Sequence, residues 1–225
     1  MTRPLHVRFM GRVGYDDGLA LQRELAEQRK QGLIDDTLLL LEHDPVVTLG
    51  RNGRRDSIKG SEADFMESGV ALVESDRGGD ATYHGPGQVV GYAIIDLKPD
   101  RKDLRRYVQT LEAVMLDTLA EYGLEGGRLD GAPGVWLTDP PRKIGAIGAR
   151  VSRWVTHHGF ALNVNTNLDH FGLIVPCGIA DKGVTSLEVE LGHRVSIIEV
   201  MERLAANFCR QFECRMLTES QVHAS

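Results

Sequence analysis

The sequence predicts an α+β fold, in which a single domain has a large mixed β-sheet flanked by helices. Strand-like and helix-like patterns mix along the 225 residues without the regular βαβ rhythm of a parallel-sheet protein. This length is ample for one hydrophobic core, and no segment has the composition of a linker. We therefore expect one domain over residues 1–225, with its core at about residues 5–213 and a poorly ordered tail at 214–225.

In the first half of the chain, periodicity and capping residues define the elements. Residues 15–31 are rich in helix-forming residues and predict a helix that Gly32 ends. Ser61 is the expected N-cap of a short helix over residues 61–68, and helically spaced apolar residues predict a longer helix over 103–122. Apolar runs predict strands at residues 5–10, 37–42, 46–49, 70–74 and 88–97.

In the second half, segments interrupted by glycine predict strands. These strands are expected at residues 134–137, 143–153 and 159–164. Residues 165–183 are rich in turn-forming residues. The last element is a helix over residues 196–212, capped by Ser196 and with Met201, Leu204 and Phe208 on one face.

Composition and charge exclude several classes of protein. There are 26 Lys and Arg against 32 Asp and Glu, a net charge of −6, which argues against nucleic acid as the main ligand. No run approaches 18 uninterrupted apolar residues, so we expect no membrane span, and the first residues lack the apolar run of a secretory signal. Three cysteines form neither a disulfide framework nor a Cys-x-x-Cys zinc motif. A cytoplasmic location fits best.

One segment is unusually rich in glycine. It reads Arg77-Gly78-Gly79-Asp80-Ala81-Thr82-Tyr83-His84-Gly85-Pro86-Gly87-Gln88. Its four glycines and one proline fix an irregular backbone whose amides can approach a ligand closely. The alternative is an ordinary tight connection before the next strand. It is not a dinucleotide fingerprint, because no helix follows it.

Three later segments carry candidate reactive groups. Lys143 enters a strand of small residues that runs to Gly148, although a solvent-facing lysine is the commoner case. His157 and His158 are adjacent on a predicted strand and should point to opposite faces, so a structural role is the better interpretation for each. Cys177, in a turn before Gly178, is either a nucleophile or a small buried hydrophobe, whereas Cys209 is expected to be packed and Cys214 to lie at a frayed helix end.

Together and in this order, these segments resemble the octanoyl-(acyl carrier protein):protein octanoyltransferases of lipoate biosynthesis. The family signature, Arg-Gly-Gly-x-x-Thr-x-His-Gly-Pro-Gly-Gln, stands unbroken at residues 77–88. The family's lysine motif is similar to residues 143–148, its His-Gly-x-Ala motif to 158–161 and its Pro-Cys-Gly motif to 176–178. Residues 42–50 share the resemblance, which thus covers most of the chain.

The resemblance implies a fold shared with the catalytic domains of biotin and lipoate ligases, and a catalytic Cys/Lys dyad formed by Cys177 and Lys143. It implies an acyl pocket lined by Arg77, Gly78, Gly79, Asp80, Ala81, Thr82, Tyr83, His84, Ala146, Ile147, Gly148, Gly159, Phe160 and Ala161. The donor would be octanoyl-acyl carrier protein. The acceptors would be lipoyl domains of 2-oxoacid dehydrogenase complexes and the glycine cleavage H protein. We expect a monomer that needs no cofactor and no metal.

In this hypothesis Cys177 carries the octanoyl group as a thioester, and Lys143 stabilises the thiolate and moves protons. Gly145, Gly148 and Gly159 would make room for the acyl chain. A basic surface for acidic carrier domains is expected at residues 51–55, with Arg101, Lys102, Arg105 and Arg106 as a second candidate; a solvated charge run is the alternative. Three rival functions stay open: an ATP-dependent lipoate or biotin ligase, a cysteine hydrolase using Cys177 with His84 or His158, and a non-catalytic lipid-binding module.

Overall fold

The computed structural model describes residues 2–98, 100–175 and 182–217. The α-helices of these residues are α1 (Tyr15–Lys30), α2 (Glu62–Ser68), α3 (Leu104–Ala120), α4 (Leu187–Leu191) and α5 (Ile197–Gln211). The strands are β1 (Arg3–Val13), β2 (Asp36–His43), β3 (Val46–Leu49), β4 (Ala71–Glu74), β5 (Ala81–His84), β6 (Gln88–Ile94), β7 (Gly127–Leu129), β8 (Ala132–Thr138), β9 (Pro141–Ile147), β10 (Arg150–Ser152), β11 (Val155–His157), β12 (Gly159–Asn163), β13 (Gly183–Val184) and β14 (Cys214–Leu217). Two 3-10 turns span Arg55–Ser57 and Leu168–Leu173.

A large mixed sheet forms the centre of the domain. Its strand order is β14-β1-β2-β6-β12-β9-β8-β7, and β13 pairs with β9 on one side of that path. Strand β1 runs parallel to both β14 and β2, and β13 runs parallel to β9. The other pairs are antiparallel. The predicted α+β fold with one large mixed sheet is therefore confirmed.

Helices cover both faces of the large sheet. Helices α3 and α5 pack on one face and close the main core, in which Leu111, Met115 and Phe208 are fully buried. Helix α1 packs on the opposite face through Leu25 and Ala26. None of the helices that the structure describes combines the length and the apolar character needed to cross a bilayer.

A second, three-stranded sheet of order β4-β3-β5 stands against the α1 face. The chain passes from this sheet to the large one through the turn between β5 and β6. Gly87 in this turn has a φ of 82°, and a Cβ atom there would lie 2.2 Å from the carbonyl oxygen of Asn165. Glycine is required at this position because only glycine adopts that backbone conformation and permits that approach without strain.

Helix ends are formed by the expected capping residues. The Ser61 hydroxyl accepts the backbone N–H of Asp64, whose carboxylate accepts the N–H of Ser61, a complete capping box at the start of α2. Gly69 ends that helix in the left-handed conformation. Ser196 caps α5 by accepting the N–H of Glu199.

Three segments show the main differences between the structure and the sequence prediction. Residues 81–84 of the glycine-rich segment form strand β5 rather than a loop. The single strand predicted over residues 143–153 is divided into β9 and β10. Residues 214–217, predicted as the start of a poorly ordered tail with Cys214 at a frayed helix end, form β14, because they hydrogen bond to the edge of β1. An edge strand of this kind has no signal in its own few residues.

Candidate active site

A cavity of about 240 Å³ lies between the large sheet and the three-stranded sheet. Strands β6, β9 and β12 of the large sheet form one wall, and β5 with the preceding loop forms the other. The cavity therefore lies where the two sheets separate, next to the turn that joins β5 to β6. It is mostly apolar, with a few polar side chains, as small-molecule sites usually are.

The structure brings together twelve of the fourteen residues expected to form the pocket, and it adds Lys143 to them. The lining residues among those expected are Arg77, Gly79, Asp80, Ala81, Thr82, His84, Ala146, Ile147, Gly148, Gly159, Phe160 and Ala161. Gly78 and Tyr83 do not line the cavity. Cys177 lies outside the described residues.

Tyr83 differs from the expectation because strand β5 alternates. Thr82 and His84 point into the cavity, while the Tyr83 side chain points the other way and is fully buried in the core of the three-stranded sheet. Its hydroxyl is 2.8 Å from Nδ1 of His170, and its ring packs edge-on against Phe171, which itself lines the cavity. Tyr83 thus supports the cavity wall from behind.

Arg77 is buried and holds the glycine-rich loop in shape. Its Nε donates to Oγ1 of Thr48 at 2.9 Å, and its Nη2 donates to the carbonyl oxygens of Thr48 and Asp80, each at 2.6 Å. Its Nη1 donates to the carbonyl oxygen of Gly78 at 3.0 Å. Three of these four hydrogen bonds go to main-chain carbonyls, so the guanidinium fixes the loop geometry, and Arg77 also contributes to the cavity wall.

His84 is a buried, neutral side chain at the cavity wall. Its Nδ1 is 2.6 Å from Oε1 of Gln88, whose Nε2 donates to Oδ1 of Asn163 and to the carbonyl oxygen of Tyr83. Since this fixes Oε1 as an acceptor, Nδ1 carries the proton of the neutral ring. Burial, followed by the nearby His43, lowers the pKa of His84 to about 3. A general-base role for His84 near neutral pH is therefore unfavourable.

His157 and His158 lie on the same side of the chain, contrary to the strand-based expectation. His158 has a φ of 56°, which breaks the strand between β11 and β12 and brings both rings toward Asp76. Nε2 of His158 is 2.8 Å from Oδ1 of Asp76, and Nε2 of His157 is 4.0 Å from Oδ2. The two side chains meet at one carboxylate because the backbone there is left-handed rather than extended.

Asp76, His157 and His158 have the donor types of a metal site, but the charges around them oppose a cation. Oδ2 of Asp76 is hydrogen bonded to Nη1 of Arg150, and Nη2 of Arg23 is 3.8 Å away. Burial acts to raise the pKa of Asp76, but the His158 hydrogen bond and the Arg150 charge outweigh it, and the pKa is lowered. We interpret the group as an ion-pair network that fixes the loop before Arg77.

Lys143 projects from β9 at one end of the cavity. Its Nζ is 5.1 Å from the ring centroid of the buried Trp136, within the range of a cation–π interaction. A Cβ atom on Gly134 would lie 2.7 Å from Cε of Lys143, so glycine at that position makes space for the lysine stem. The lysine is held in place by its neighbours and faces the cavity rather than open solvent.

The described residues on each side of the Cys177 segment are anchored near the site. The backbone N–H of Val175 donates to the carbonyl oxygen of Ser57 at 2.8 Å. After the segment, Val184 pairs with Lys143 itself, and the N–H of Thr185 donates to the carbonyl oxygen of Lys143 at 2.9 Å.

Sequence reasoning missed several lining residues, notably Tyr15, Val90, Tyr92, Asn163 and Phe171. Two of them had a usable signal. Gln88 ends the glycine-rich signature, and the period of two along β6 then brings Val90 and Tyr92 to the same face. Tyr15 and Phe171 come from distant parts of the chain and had no local signal.

Solved structures share this architecture. The bi-partite lipoate protein ligase from Thermoplasma acidophilum, studied with its E2 lipoyl domain, superposes with a TM-score of 0.71 at 17% identity over 99% of this chain and 90% of its own. A lipoate-protein ligase A bound with ATP gives 0.69 at 18% identity, over 99% of this chain and 92% of its own. The fold is thus that of the biotin/lipoate ligase catalytic domain, as predicted.

Sequence comparison identifies the family. The model of the lipoyl protein ligase A/B catalytic domain matches residues 14–209. An octanoyltransferase from Myxococcus xanthus is 52% identical over 91% of this chain and 58% of its own length, and one from Solibacter usitatus is 48% identical over 97% and 98%. The chain belongs to the lipoyl protein ligase A/B catalytic domain family, within its octanoyltransferases.

Proposed function

We propose that this protein transfers an octanoyl group from the thioester of octanoyl-acyl carrier protein to a lysine amine of lipoyl domains, as the first step of protein lipoylation. The acceptors are the lipoyl domains of 2-oxoacid dehydrogenase complexes and the glycine cleavage H protein. The observation that carries the proposal is the cavity that joins the glycine-rich signature to Lys143, in a chain whose relatives are octanoyltransferases. The apolar wall of the cavity suits a saturated chain, and Lys143 places an ammonium group at one end of the cavity.

The transfer proceeds in two steps through Cys177. In the first step the thiolate attacks the carbonyl carbon of the donor thioester, and the bond from that carbon to the pantetheine sulfur breaks. The proton that leaves the Cys177 thiol ends on the departing pantetheine thiol. One thioester replaces another, so this step is nearly isoenergetic.

In the second step the acceptor lysine amine attacks the acyl-enzyme. A carbon–nitrogen bond forms and the bond from carbon to the Cys177 sulfur breaks. The proton lost by the amine returns to Cys177. The product is an amide, which is more stable than a thioester, and its formation drives the sequence. No oxidant, metal or nucleotide is needed for this balance.

Lys143 supplies the charge that this chemistry needs. A free thiol has a pKa of about 8.5 and is mostly protonated at neutral pH, and a neighbouring cation favours the thiolate. The pairing of Val184 with Lys143 supports this assignment, because the chain returns to Lys143 seven residues after Cys177. Lys143 also carries protons between the thiol, the departing sulfur and the incoming amine.

The carrier domains dock at the basic loop beside the cavity. Arg51, Arg54 and Arg55 are exposed, and the loop that carries them is tied to the cavity wall. The Ser57 hydroxyl donates to Oδ2 of Asp80 at 2.7 Å, and the N–H of Arg51 donates to the carbonyl oxygen of Arg77 at 3.0 Å. An acidic partner held there would be close to the cavity, although the protein carries a net charge of −6. The protein acts as a monomer in the cytoplasm.

Intact-mass spectrometry after incubation with octanoyl-acyl carrier protein tests the proposal. We expect a mass increase of one octanoyl group in the wild type and in the control Cys209→Ser, but not in Cys177→Ser. Adding a lipoyl domain should remove the adduct and leave octanoyl-lysine on that domain without ATP. A strict ATP requirement would favour a ligase, and free octanoate with unmodified lipoyl domain would favour a hydrolase. Full transfer by Cys177→Ser would refute the relay.

A further inference from the structure

The register of the large sheet arranges the floor of the cavity in rows. Strands β9, β12 and β6 lie side by side, and their pairing aligns one residue of each strand in every row. The middle row is Ala146, Ala161 and Val90. The next row, farther from Lys143, is Gly148, Gly159 and Tyr92, because Gly159 pairs with Tyr92 and accepts the Gly148 N–H at 2.9 Å. Tyr92 is the one residue of that row with a side chain.

The Tyr92 side chain is fixed at its hydroxyl. Nδ1 of His43 is 2.7 Å from the carbonyl oxygen of Val13, which can only accept, so Nδ1 carries the proton of the neutral ring. Nε2 is therefore an acceptor, and it accepts a hydrogen bond from the Tyr92 hydroxyl at 2.5 Å. Burial lowers the pKa of His43 and raises that of Tyr92, which keeps both groups neutral in this arrangement.

Helix α1 packs directly behind this pair. A Cβ atom on Gly18 would lie 3.0 Å from Cε1 of His43 and 3.6 Å from the Tyr92 ring. Both rings are buried, with 0% exposure for His43 and 3% for Tyr92. The tyrosine ring is therefore confined on its helix side and tethered at its hydroxyl.

The distance from the reactive end to Tyr92 matches an eight-carbon chain. Gly145 pairs with Leu162, so Asn163 and its partner Gln88 lie in the row nearest Lys143. Tyr92 lies four residue steps after Gln88 along β6, which is about 13 Å at a strand rise of about 3.3 Å per residue. An extended octanoyl chain, with seven carbon–carbon bonds of about 1.5 Å in a zigzag, spans about 9 Å. The remaining length, about 4 Å, equals one van der Waals contact.

We propose that Tyr92, held by His43, is the stop that sets the acyl chain length. The proposal rests on the octanoyl transfer proposed above. The methyl end of an octanoyl group reaches the tyrosine ring. A decanoyl chain is two methylenes longer, so it contacts the ring before its carbonyl group reaches the reactive end. Tyr92 is in this sense a specificity-determining residue and takes no part in bond breaking.

The test measures kcat/KM with hexanoyl-, octanoyl-, decanoyl- and dodecanoyl-acyl carrier protein for wild type, Tyr92→Leu and Tyr107→Leu. Tyr107 is an equally buried tyrosine in α3, away from the cavity, and is the matched control. We expect Tyr92→Leu to raise the decanoyl-to-octanoyl ratio by about tenfold, from the transfer free energy of two buried methylenes. Tyr107→Leu should keep the wild-type ratio.

An unchanged ratio in a folded Tyr92→Leu protein overturns the assignment of Tyr92, and an equal rise in Tyr107→Leu does so as well. If Tyr92→Leu does not fold, as judged by circular dichroism, Tyr92→Phe replaces it. That variant removes the tether alone and should raise the ratio at least twofold; no rise would again overturn the assignment. If the wild type transfers no octanoyl group at all, the proposed function itself has failed.

Discussion

Lowering the pH from 7.5 to 5.0 should destabilise this protein through its buried histidines, and His84 provides the cleanest measurement. In the native state burial holds the pKa of His84 at about 3, whereas the unfolded chain has the ordinary value of about 6.5. A group whose pKa is lowered on folding contributes stability that is present above the unfolded pKa. That contribution is lost as the pH falls below 6.5 toward the folded pKa.

The loss in the free energy of unfolding follows from the pH interval between the unfolded pKa and the lower pH of the experiment. Between pH 6.5 and pH 5.0 the unfolded chain binds a proton at this position and the native protein does not. An interval of 1.5 pH units at about 1.4 kcal/mol each gives a loss of about 2 kcal/mol from His84. Burial lowers the pKa of His157 to about 4, so the contribution of His157 to the free energy of unfolding falls by a similar amount over the same range. Most of this loss falls above the range in which carboxylates titrate.

Urea unfolding at pH 7.5 and pH 5.0 measures the effect. The free energy of unfolding should fall from pH 7.5 to pH 5.0 in both proteins. The fall in His84→Asn should be about 2 kcal/mol smaller than the fall in the wild type. Asparagine was chosen because its amide can still donate to Gln88. The exposed His193→Asn is the matched control and should keep the wild-type difference. A difference in His84→Asn equal to the wild type, or a His84 pKa between 6 and 7 by NMR, would refute the reasoning.

Three further variants test the site. Lys143→Arg keeps the charge but is a poor proton shuttle, so transfer should slow by about a hundredfold or more while the Cys177 adduct still forms; near-normal turnover in steady-state assays would remove the proton-transfer role. Gly148→Leu should favour hexanoyl over octanoyl donors, because its Cβ would already lie 3.1 Å from Cδ of Arg77; an unchanged preference would contradict this. Arg54→Glu with Arg55→Glu should raise the KM for acyl carrier protein severalfold and remove most of its salt dependence, with kcat unchanged.

The helices, the strands and much of the site could be predicted from the sequence, because they depend on patterns within a few residues. The N-cap at Ser61 and the apolar stripe of α3 are signals within a few residues, and the structure has both. The signature at residues 77–88 and the lysine segment were recognised as motifs, and the fold brings them to one cavity.

What could not be predicted depends on tertiary contacts. The direction of the Tyr83 side chain follows from the register of β5, and the meeting of His157 with His158 follows from one left-handed residue. Gly145 is a further example, since it was expected to widen the acyl pocket. A Cβ atom there would lie 2.8 Å from Sδ of Met115, so this glycine makes room for helix α3 on the other face of the sheet.

The charge distribution explains how a cavity lined by histidines and an arginine can accept a hydrocarbon chain. The two histidines that line the cavity are His84 and His158, and burial lowers the pKa of both. The Nη1 and Nη2 donors of Arg77 bond to main-chain carbonyls. An acyl chain that lies against these side chains therefore displaces no charge from water, which would otherwise cost far more than its methylenes gain. In the proposed mechanism the ammonium of Lys143 stands at the opposite end, next to the thioester carbonyl and the thiolate.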